Sequence, residues 1–524
     1  GLYNILIMKK FLLLLSILFV VSCSKDESNE KLTITFLNVE NFGAVANDNI
    51  DESSSIIAAL AEAKTGEVKK VYLPEGTYLI SKTLYISSEI EFYGDGMEKT
   101  IIKNHPNAAT GLDIITPIDR IVSNSEIWSN KTMIATEGAD FRIGTVVENV
   151  KIHSLGIDWN QIGGGVNSIL PIMIGRANFS QIYDVKIHDA LDGDLENTNS
   201  RKQGLSILFA FSNDCELHNS FVGAADYESV SVRFISKRTK IHNNTIRVNK
   251  PESFRAQAHL IQVARPSSAV ERMEELYGES LCKDTFIENN NLIVEKGSGH
   301  AVTSHNSDGF YVKNNKIKFL ITLAAAWGIK PFSNTTNIEI SGNIIDVTEF
   351  PNMQKGCTLI STGTSRGSTG ISNCEIFDNT IKIKNSEKFT GDSIFGFQSI
   401  IGSTSAYNEN VSIYNNTIEI DGYENTQLPM ISCNGENIDV QDNKIILSNP
   451  LEAITSEGPA LFTTYSGINM NVIGNEVRGT VGRGFVVNVI KGRVLKNVKV
   501  QNDYEECVGE EIVLNDHPDQ DEVN

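Results

Sequence analysis

Residues 241–248 read Ile-His-Asn-Asn-Thr-Ile-Arg-Val, and the chain keeps rewriting that line. Ile287 to Val294 is IENNNLIV, Val312 to Phe319 is VKNNKIKF and Ile340 to Val347 is ISGNIIDV. IFDNTIKI follows from Ile376, IYNNTIEI from Ile413, VQDNKIIL from Val440 and VIGNEVRG from Val472. Each copy is an apolar residue, two mostly polar ones, an Asn, then an alternating apolar pair. The recurring residues are Asn244, Asn290, Asn315, Asn343, Asn379, Asn416, Asn443 and Asn475, between 25 and 46 residues apart. Two short period-2 runs meeting at an Asn describe strand, tight bend, strand, because Asn tolerates the left-handed conformation that a sharp bend needs. A fixed bend with variable spacing is the mark of a solenoid whose rungs share one corner and differ in their loops.

In stacked rungs the Asn amides fall one above another, about 4.8 Å apart, and can satisfy each other's donors and acceptors. The pattern resembles the asparagine ladder of right-handed parallel β-helices. The expected fold class is all-β: a single-stranded right-handed parallel β-helix (solenoid) with an N-terminal capping helix. Weaker first halves of the repeat at Val150–His153, Val185–His188 and Cys215–His218 place the start of the coil near residue 105.

The N-terminal segment has a different character. Met8-Lys9-Lys10, an apolar run from Phe11 to Val21 and then Ser22-Cys23 form an export signal. Val20-Val21-Ser22-Cys23 resembles the bacterial lipobox, which implies cleavage before Cys23 and acylation of that residue. Ser24-Lys25-Asp26-Glu27 resembles the charged tag of Bacteroidota surface lipoproteins. The resemblance implies an extracytoplasmic, outer-membrane lipoprotein exposed on the cell surface. The division that follows is 1–23 signal peptide, 24–31 tether, 32–104 cap, 105–503 β-helix and 504–524 acidic tail. The last segment carries eight carboxylates and reads as solvated. A net charge of −20 and a pI near 5.0 argue against general nucleic-acid binding. The six cysteines other than Cys23 show no C-x-x-C spacing, which disfavours a zinc site.

Between Leu32 and Lys103, Asn41-Phe42-Gly43-Ala44-Val45 precedes an acidic turn at Asp48 and Asp51, and Ile56, Ile57, Leu60 and Ala63 then recur at helical spacing. Asp51 or Ser53 is placed to cap that helix. Val71-Tyr72-Leu73-Pro74-Glu75-Gly76-Thr77-Tyr78 follows as strand, turn, strand. This run resembles the N-terminal signature of the pectate lyase/rhamnogalacturonase-like superfamily, although Ala46-Asn47-Asp48-Asn49 stands in place of its glycine-bearing turn. The resemblance implies the β-helix fold and a carbohydrate-related function, since the superfamily holds lyases, hydrolases, epimerases and phage tailspikes.

Candidate chemistry comes from the middle strand of each rung. Ile169 to Ile174 and Leu205 to Phe211 are apolar, whereas YESVSVR from Tyr227, HLIQVAR from His259, HAVTSH from His300 and AAWGIK from Ala325 are not. Glu228, Arg233, His259, Arg265, His300, His305 and Lys330 thus fall on four consecutive rungs of one sheet. Either this is a glycan-binding cleft, as on the corresponding sheet of resembling enzymes, or it is a solvated charged face. Asp226 and Glu228 form a possible acid/base pair. Asp192, Asp194 and Glu196 could hold Ca²⁺ with oxygen ligands or be an ordinary polar loop; no cofactor is otherwise required. His153, His188, His218 and His242 share the last position before the bend, where outward stacking explains them without a metal.

Three functions compete. A lyase acting on an anionic, uronate-containing polysaccharide by β-elimination needs cations near the substrate carboxylate, a base and a proton donor. Arg233, Arg265 and Lys330 would neutralise, His259 or His300 would be the base and Tyr227 the donor, with Gln262, His305 and Trp327 contacting sugar. A glycoside hydrolase would use Asp226 with Glu228, or Asp192 with Asp194. A non-catalytic glycan-binding lipoprotein would need neither set. Basic groups outnumber acidic ones on the sheet, which favours elimination.

Overall fold

A computed structural model describes residues 35–116, 130–160, 168–189, 204–223, 225, 228–249, 258–263, 270–296, 299–320, 327–332, 334–347, 357–363, 370–385, 397–425, 429–488, 495–515 and 521–523. From Leu37 onward these form one compact unit. The chain coils so that each rung adds a strand to each of three parallel sheets. The first sheet carries the strand before the bend, as in Lys240–His242, Cys282–Glu288, Ser307–Lys313 and Thr335–Ser341. The second carries the strand after it, as in Thr245–Asn249, Asn291–Lys296, Lys316–Phe319 and Ile344–Val347. The middle sheet runs through Leu205–Ala210, Glu228–Arg233, Ala258–Val263, Gly299–Ser304, Trp327–Pro331 and Cys357–Ile360. Rung pairs with rung throughout, Ile241 with Ile287, Ile287 with Val312 and Val312 with Ile340. The one antiparallel pairing among the described residues joins Ile114–Ile115 to Asn130 and Lys131. The core is a continuous apolar column from Val39 to Val498. The right-handed parallel β-helix expected from the repeat is the observed fold.

The recurrent Asn side chains form one buried stack. Asn244 Nδ2 donates to Asn290 Oδ1 (3.0 Å), which also accepts the Asn244 backbone N–H (3.0 Å). The same two bonds link Asn290 to Asn315, Asn315 to Asn343, Asn343 to Asn379, Asn379 to Asn416, Asn416 to Asn443 and Asn443 to Asn475. The second hydrogen of each amide goes to a carbonyl of the preceding rung, Asn343 Nδ2 to Val312 O at 2.8 Å. The ladder continues one step beyond the legible repeat, to Asn502.

The left-handed residue of each bend is the one before the ladder Asn. Positive φ falls on Asn243, Asn289, Asn314, Gly342, Asp378, Asn415, Asp442 and Gly474. The ladder position therefore selects Asn for its amide, and the preceding position selects Asn, Asp or Gly for its backbone. At Gly342 a Cβ would sit 2.3 Å from Asn314 Oδ1, so the close approach also demands glycine there.

Helix Ser53–Thr65 closes the first rungs with Ile56, Ala59, Leu60 and Ala63 buried, as their spacing predicts, while Ile57 packs against the core only partly. Asp51 Oδ1 accepts the Ser53 N–H (3.1 Å) and the Ser81 N–H (3.1 Å), tying the helix start to the adjacent rung. Burial raises the Asp51 carboxyl, but these bonds from Ser53 and Ser81 outweigh it and hold the group below its usual range. Within the segment read as a cap, Lys70–Leu73, Gly76–Ile80, Leu84–Ile86, Glu91–Gly94 and Thr100–Asn104 are already strands of the coil. The segment read as a solvated tail also holds strands: Leu495–Cys507 pairs with Gly467–Val481, Ile512–Asn515 with Phe485–Asn488, and Asp521–Val523 with Lys496–Val498. Tyr504 and Cys507 pack against the core, with exposed Glu505 and Glu506 between them. The signal peptide, tether and Cys23 lie outside the described residues.

Two outward rows share the register. Tyr72, Tyr93, His153, Tyr183, His218 and His242 stack in sequence with ring centroids 4.4–5.4 Å apart. His188, expected in this column, lies just past the end of strand Gln181–Ile187, and Tyr183 of that strand takes its place. The second row is an external amide ladder in which Asn373 bonds Asn337, Asn410 bonds Asn373, Asn437 bonds Asn410, Asn469 bonds Asn437 and Asn497 bonds Asn469. Replacing Asn343 by Leu should leave buried neighbours short of a partner and cost about 1–3 kcal/mol. Asn373→Gly, which keeps the left-handed backbone (φ 52°) and removes only an amide of the exposed row, should stay within about 0.5 kcal/mol of the parent. Urea titration of both variants checks the difference, and equal losses would remove the special role of the inner ladder.

Candidate functional site

On the middle sheet, Val230, Val232, Ile261, Val263, Val302 and Ile329 fill the core. Leu260 and Ala301 are core residues as well, so the in-out alternation slips by one there. That slip leaves Glu228, His259, His300 and Trp327 as one row across four rungs, each in register with the next. Ser231, Gln262, Thr303 and Lys330 form the parallel row beside it. The arrangement follows the alternation of small and apolar residues inward with long polar residues outward.

The earlier rungs of the same sheet carry an apolar patch instead, with Ala135, Leu170, Met173, Leu205, Leu208 and Ala210 gathered against Met273 of helix Val270–Tyr277. The change from apolar to ionisable at Glu228 is therefore a boundary on one sheet.

The polar cluster is not a solvated face. Glu228 is fully buried, Arg233 is 1 % exposed, His300 3 % and Lys330 6 %. Arg233 Nη2 donates to both oxygens of Glu228, and Arg233 Nε donates to Ser231 Oγ at 2.6 Å. Two residues that the sequence offers as separate groups are thus a single ion pair. His259 Nδ1 lies 3.1 Å from Thr303 Oγ1, and the His259 and His300 rings stand 4.6 Å apart. The His300 and Trp327 centroids are 6.1 Å apart. Lys330 Nζ lies 3.1 Å from the Trp327 ring centroid and 4.3 Å from that of Phe332, on which half-buried His305 stacks at 3.9 Å. Burial pushes the His300 imidazole well below its usual pKa, and positive charge at His259, Lys330 and His305 pushes the same way. The ring is neutral near pH 7.

The structure brings together Glu228, Arg233, His259, Gln262, His300, Trp327 and Lys330, with His305 at the margin beside Phe332. Asp226, Tyr227 and Arg265 lie outside the described residues, as do Asp192, Asp194 and Glu196. Among the described residues no group of three or more His, Cys, Asp or Glu is arranged to hold a metal ion. Sequence reading missed Thr303, whose hydroxyl meets the His259 ring, and the external Asn ladder. The ladder has a legible signal: Asn337, Asn373, Asn410, Asn437 and Asn469 each stand six residues ahead of an inner-ladder Asn.

Open space lies elsewhere. A groove of about 580 Å³ follows the turn between the middle and first sheets, past Asn306, Asn334 and Tyr407. A second, of about 480 Å³, runs along the external ladder beside Tyr311, Glu339 and Glu375.

The three sheets, the internal ladder and the helical cap define a right-handed parallel β-helix protein. Residues 36–250 match the family model described as rhamnogalacturonase A/epimerase, pectate lyase-like, which bears out over that stretch the superfamily resemblance read from the N-terminal signature. No match is found among curated proteins. A tailspike protein of E. coli bacteriophage HK620 in complex with a pentasaccharide aligns with a TM-score of 0.60 at 12 % identity, covering 91 % of this chain and 78 % of the tailspike. A family 28 exopolygalacturonase of Yersinia enterocolitica gives 0.53 at 12 % identity over 84 % and 78 %. The catalytic unit of a GH87 α-1,3-glucanase from Streptomyces thermodiastaticus gives 0.50 at 13 % over 91 % and 70 %. At these identities the likeness is one of fold.

The depressed His300 pKa has a thermodynamic consequence. Above about pH 6.5 the imidazole is neutral in both folded and unfolded chains. Below it the unfolded chain binds a proton that the buried ring refuses, so stability falls as pH falls toward the folded value. A His300→Gln protein should lose less of its thermal midpoint than the parent between about pH 7 and about pH 5. Parallel declines would show that the ring titrates normally.

Proposed function

We propose that the chain is a carbohydrate-active protein that cleaves a uronate-containing polysaccharide by β-elimination on the outer face of the middle sheet. The family match and the β-helix fold support a polysaccharide-active or glycan-binding protein at the coarser level. The observation carrying the finer reading is the close His259–His300 ring pair, with His300 held neutral by burial, one rung from the Lys330 cation.

Elimination removes the proton next to the uronate carboxylate, forms the C4–C5 double bond from that electron pair, and breaks the C4–O bond to the departing sugar. In the tautomer whose Nδ1–H donates to Thr303 Oγ1, His259 Nε2 is the basic nitrogen that would abstract the proton. Lys330, with Arg265, would neutralise the carboxylate as charge builds, and Tyr227 would return a proton to the leaving oxygen. A hydrolase needs two carboxyl groups about 5–9.5 Å apart. Glu228, the carboxylate that the described residues place on this face, is already bound by Arg233. Because these side chains are buried, a glycan reaches them only when the atoms over the cluster move aside. We further propose that the mature protein is held at the outer surface of the cell through lipid on Cys23.

Incubation with polygalacturonate, alginate and glycosaminoglycans should yield an unsaturated, ultraviolet-absorbing product from one of them. His259→Ala and Lys330→Ala should each lower turnover by about 10²–10³ while remaining folded by circular dichroism. New reducing ends without ultraviolet absorbance would move the assignment to hydrolysis, and binding without either product would move it to glycan recognition. A Cys23→Ala protein should leave the membrane fraction, and its retention there would overturn the lipid anchor.

A further inference from the structure

The 580 Å³ groove at the turn between the middle and first sheets has a different chemistry from the buried cluster. It draws on five successive rungs, from Leu281 past Asn306 and Asn334 to Tyr407 and Glu409, and so extends about 19 Å along the coil. That length suits a short oligosaccharide, because a 1,4-linked pyranose advances by roughly one rung spacing per unit. The volume lies in the range of about 300–1,000 Å³ typical of small-ligand sites.

Its lining is specific in kind. The Tyr407 ring is 45 % exposed, on a fold that otherwise hides or stacks most of its aromatic rings. At Gly370 a Cβ would lie 2.0 Å from the Tyr407 carbonyl oxygen, so glycine lets the two rungs close together along the groove floor. Glu409 comes from the same strand as Tyr407, and Glu274 from helix Val270–Tyr277, where it accepts from Ser280 Oγ at 2.9 Å. Asn334 Nδ2 donates to Asn306 Oδ1 at 3.1 Å, which fixes the orientation of that amide pair along the groove. Among the described lining residues there is no Lys, Arg or His.

From these features we infer that the groove is a binding site for an uncharged pyranose oligosaccharide. An exposed aromatic ring offers a face for the apolar side of a pyranose. Carboxylates accept hydrogen bonds from paired sugar hydroxyls, and amides both donate and accept. Two carboxylates with no cation among the described lining residues repel a polyuronate, so this site selects against the substrate class proposed for the middle sheet. Asn306 directly follows His305, which puts the groove at the margin of that cluster, although its occupancy does not depend on the lyase reading.

The test is calorimetric titration of the whole protein with cellohexaose, mannohexaose and maltohexaose, with hexagalacturonate as the charged competitor. At least one neutral hexaose should bind, and hexagalacturonate should not displace it. Tyr407→Ala should weaken that binding about tenfold or more, and Glu409→Gln should weaken it too. Both positions lie away from the buried cluster, so any turnover of a polyuronate should be unchanged, and loss of that turnover alone would bear only on the lyase proposal. Failure of all three neutral hexaoses to bind, binding unaffected by Tyr407→Ala in a protein with parental circular dichroism, or displacement by hexagalacturonate would each overturn the inference.

Discussion

Everything in this coil depends on the stacked amides of the inner asparagine ladder. Each Oδ1 accepts two N–H groups from the preceding rung, and each Nδ2 serves the next amide and a backbone carbonyl. A buried amide left out of such a network carries a desolvation cost with nothing to offset it. From Asn244 to Asn502 one corner of each rung is thereby pinned in register, whatever the length of the loops between. The external ladder from Asn337 to Asn497 is a row that this register makes possible.

Register also explains why ionisable residues can gather on one face. With the core filled from the inner side by residues such as Val230, Ile261 and Val302, the outer side of the middle sheet is released from packing the column. The sequence uses that freedom in two ways, an apolar patch up to Ala210 and a polar cluster from Glu228 to Lys330. Burying the second set is costly unless charges are paired. Arg233 binds Glu228, the His300 ring remains neutral, and Lys330 lies over aromatic rings. These are three ways of lowering the cost of charge in a dry place, and each leaves a different group available for chemistry.

The buried cluster and the open groove contrast in their charges. Around His259 the one described carboxylate, Glu228, is neutralised by Arg233 and the other ionisable groups are imidazoles and a lysine, whereas the groove past Tyr407 has carboxylates and amides. A polymer with charged and uncharged stretches would be sorted between two such surfaces by electrostatics alone.

The sequence by itself determined the coil. Asn at eight spaced corners, apolar pairs around them and helical spacing at Ile56, Leu60 and Ala63 were legible because bends and helical faces are set by near neighbours and the ladder repeats one residue type at each corner. It also marked the polar face, since YESVSVR, HLIQVAR and HAVTSH stand out against apolar strands before them. Only the tertiary structure decided which residues became neighbours. Loop lengths differ from rung to rung, so counting could not tell that Tyr183 and not His188 stacks between His153 and His218, or that Thr303 meets the His259 ring. Nor could it show that the bend strain rests on the residue before the ladder Asn, because adjacent Asn residues read alike in sequence while one supplies an amide and the other a backbone angle. Burial was the least legible property of all. Whether Glu228 and Lys330 face water depends on what lies above the sheet, and the period-2 pattern records only which side of the strand a residue occupies.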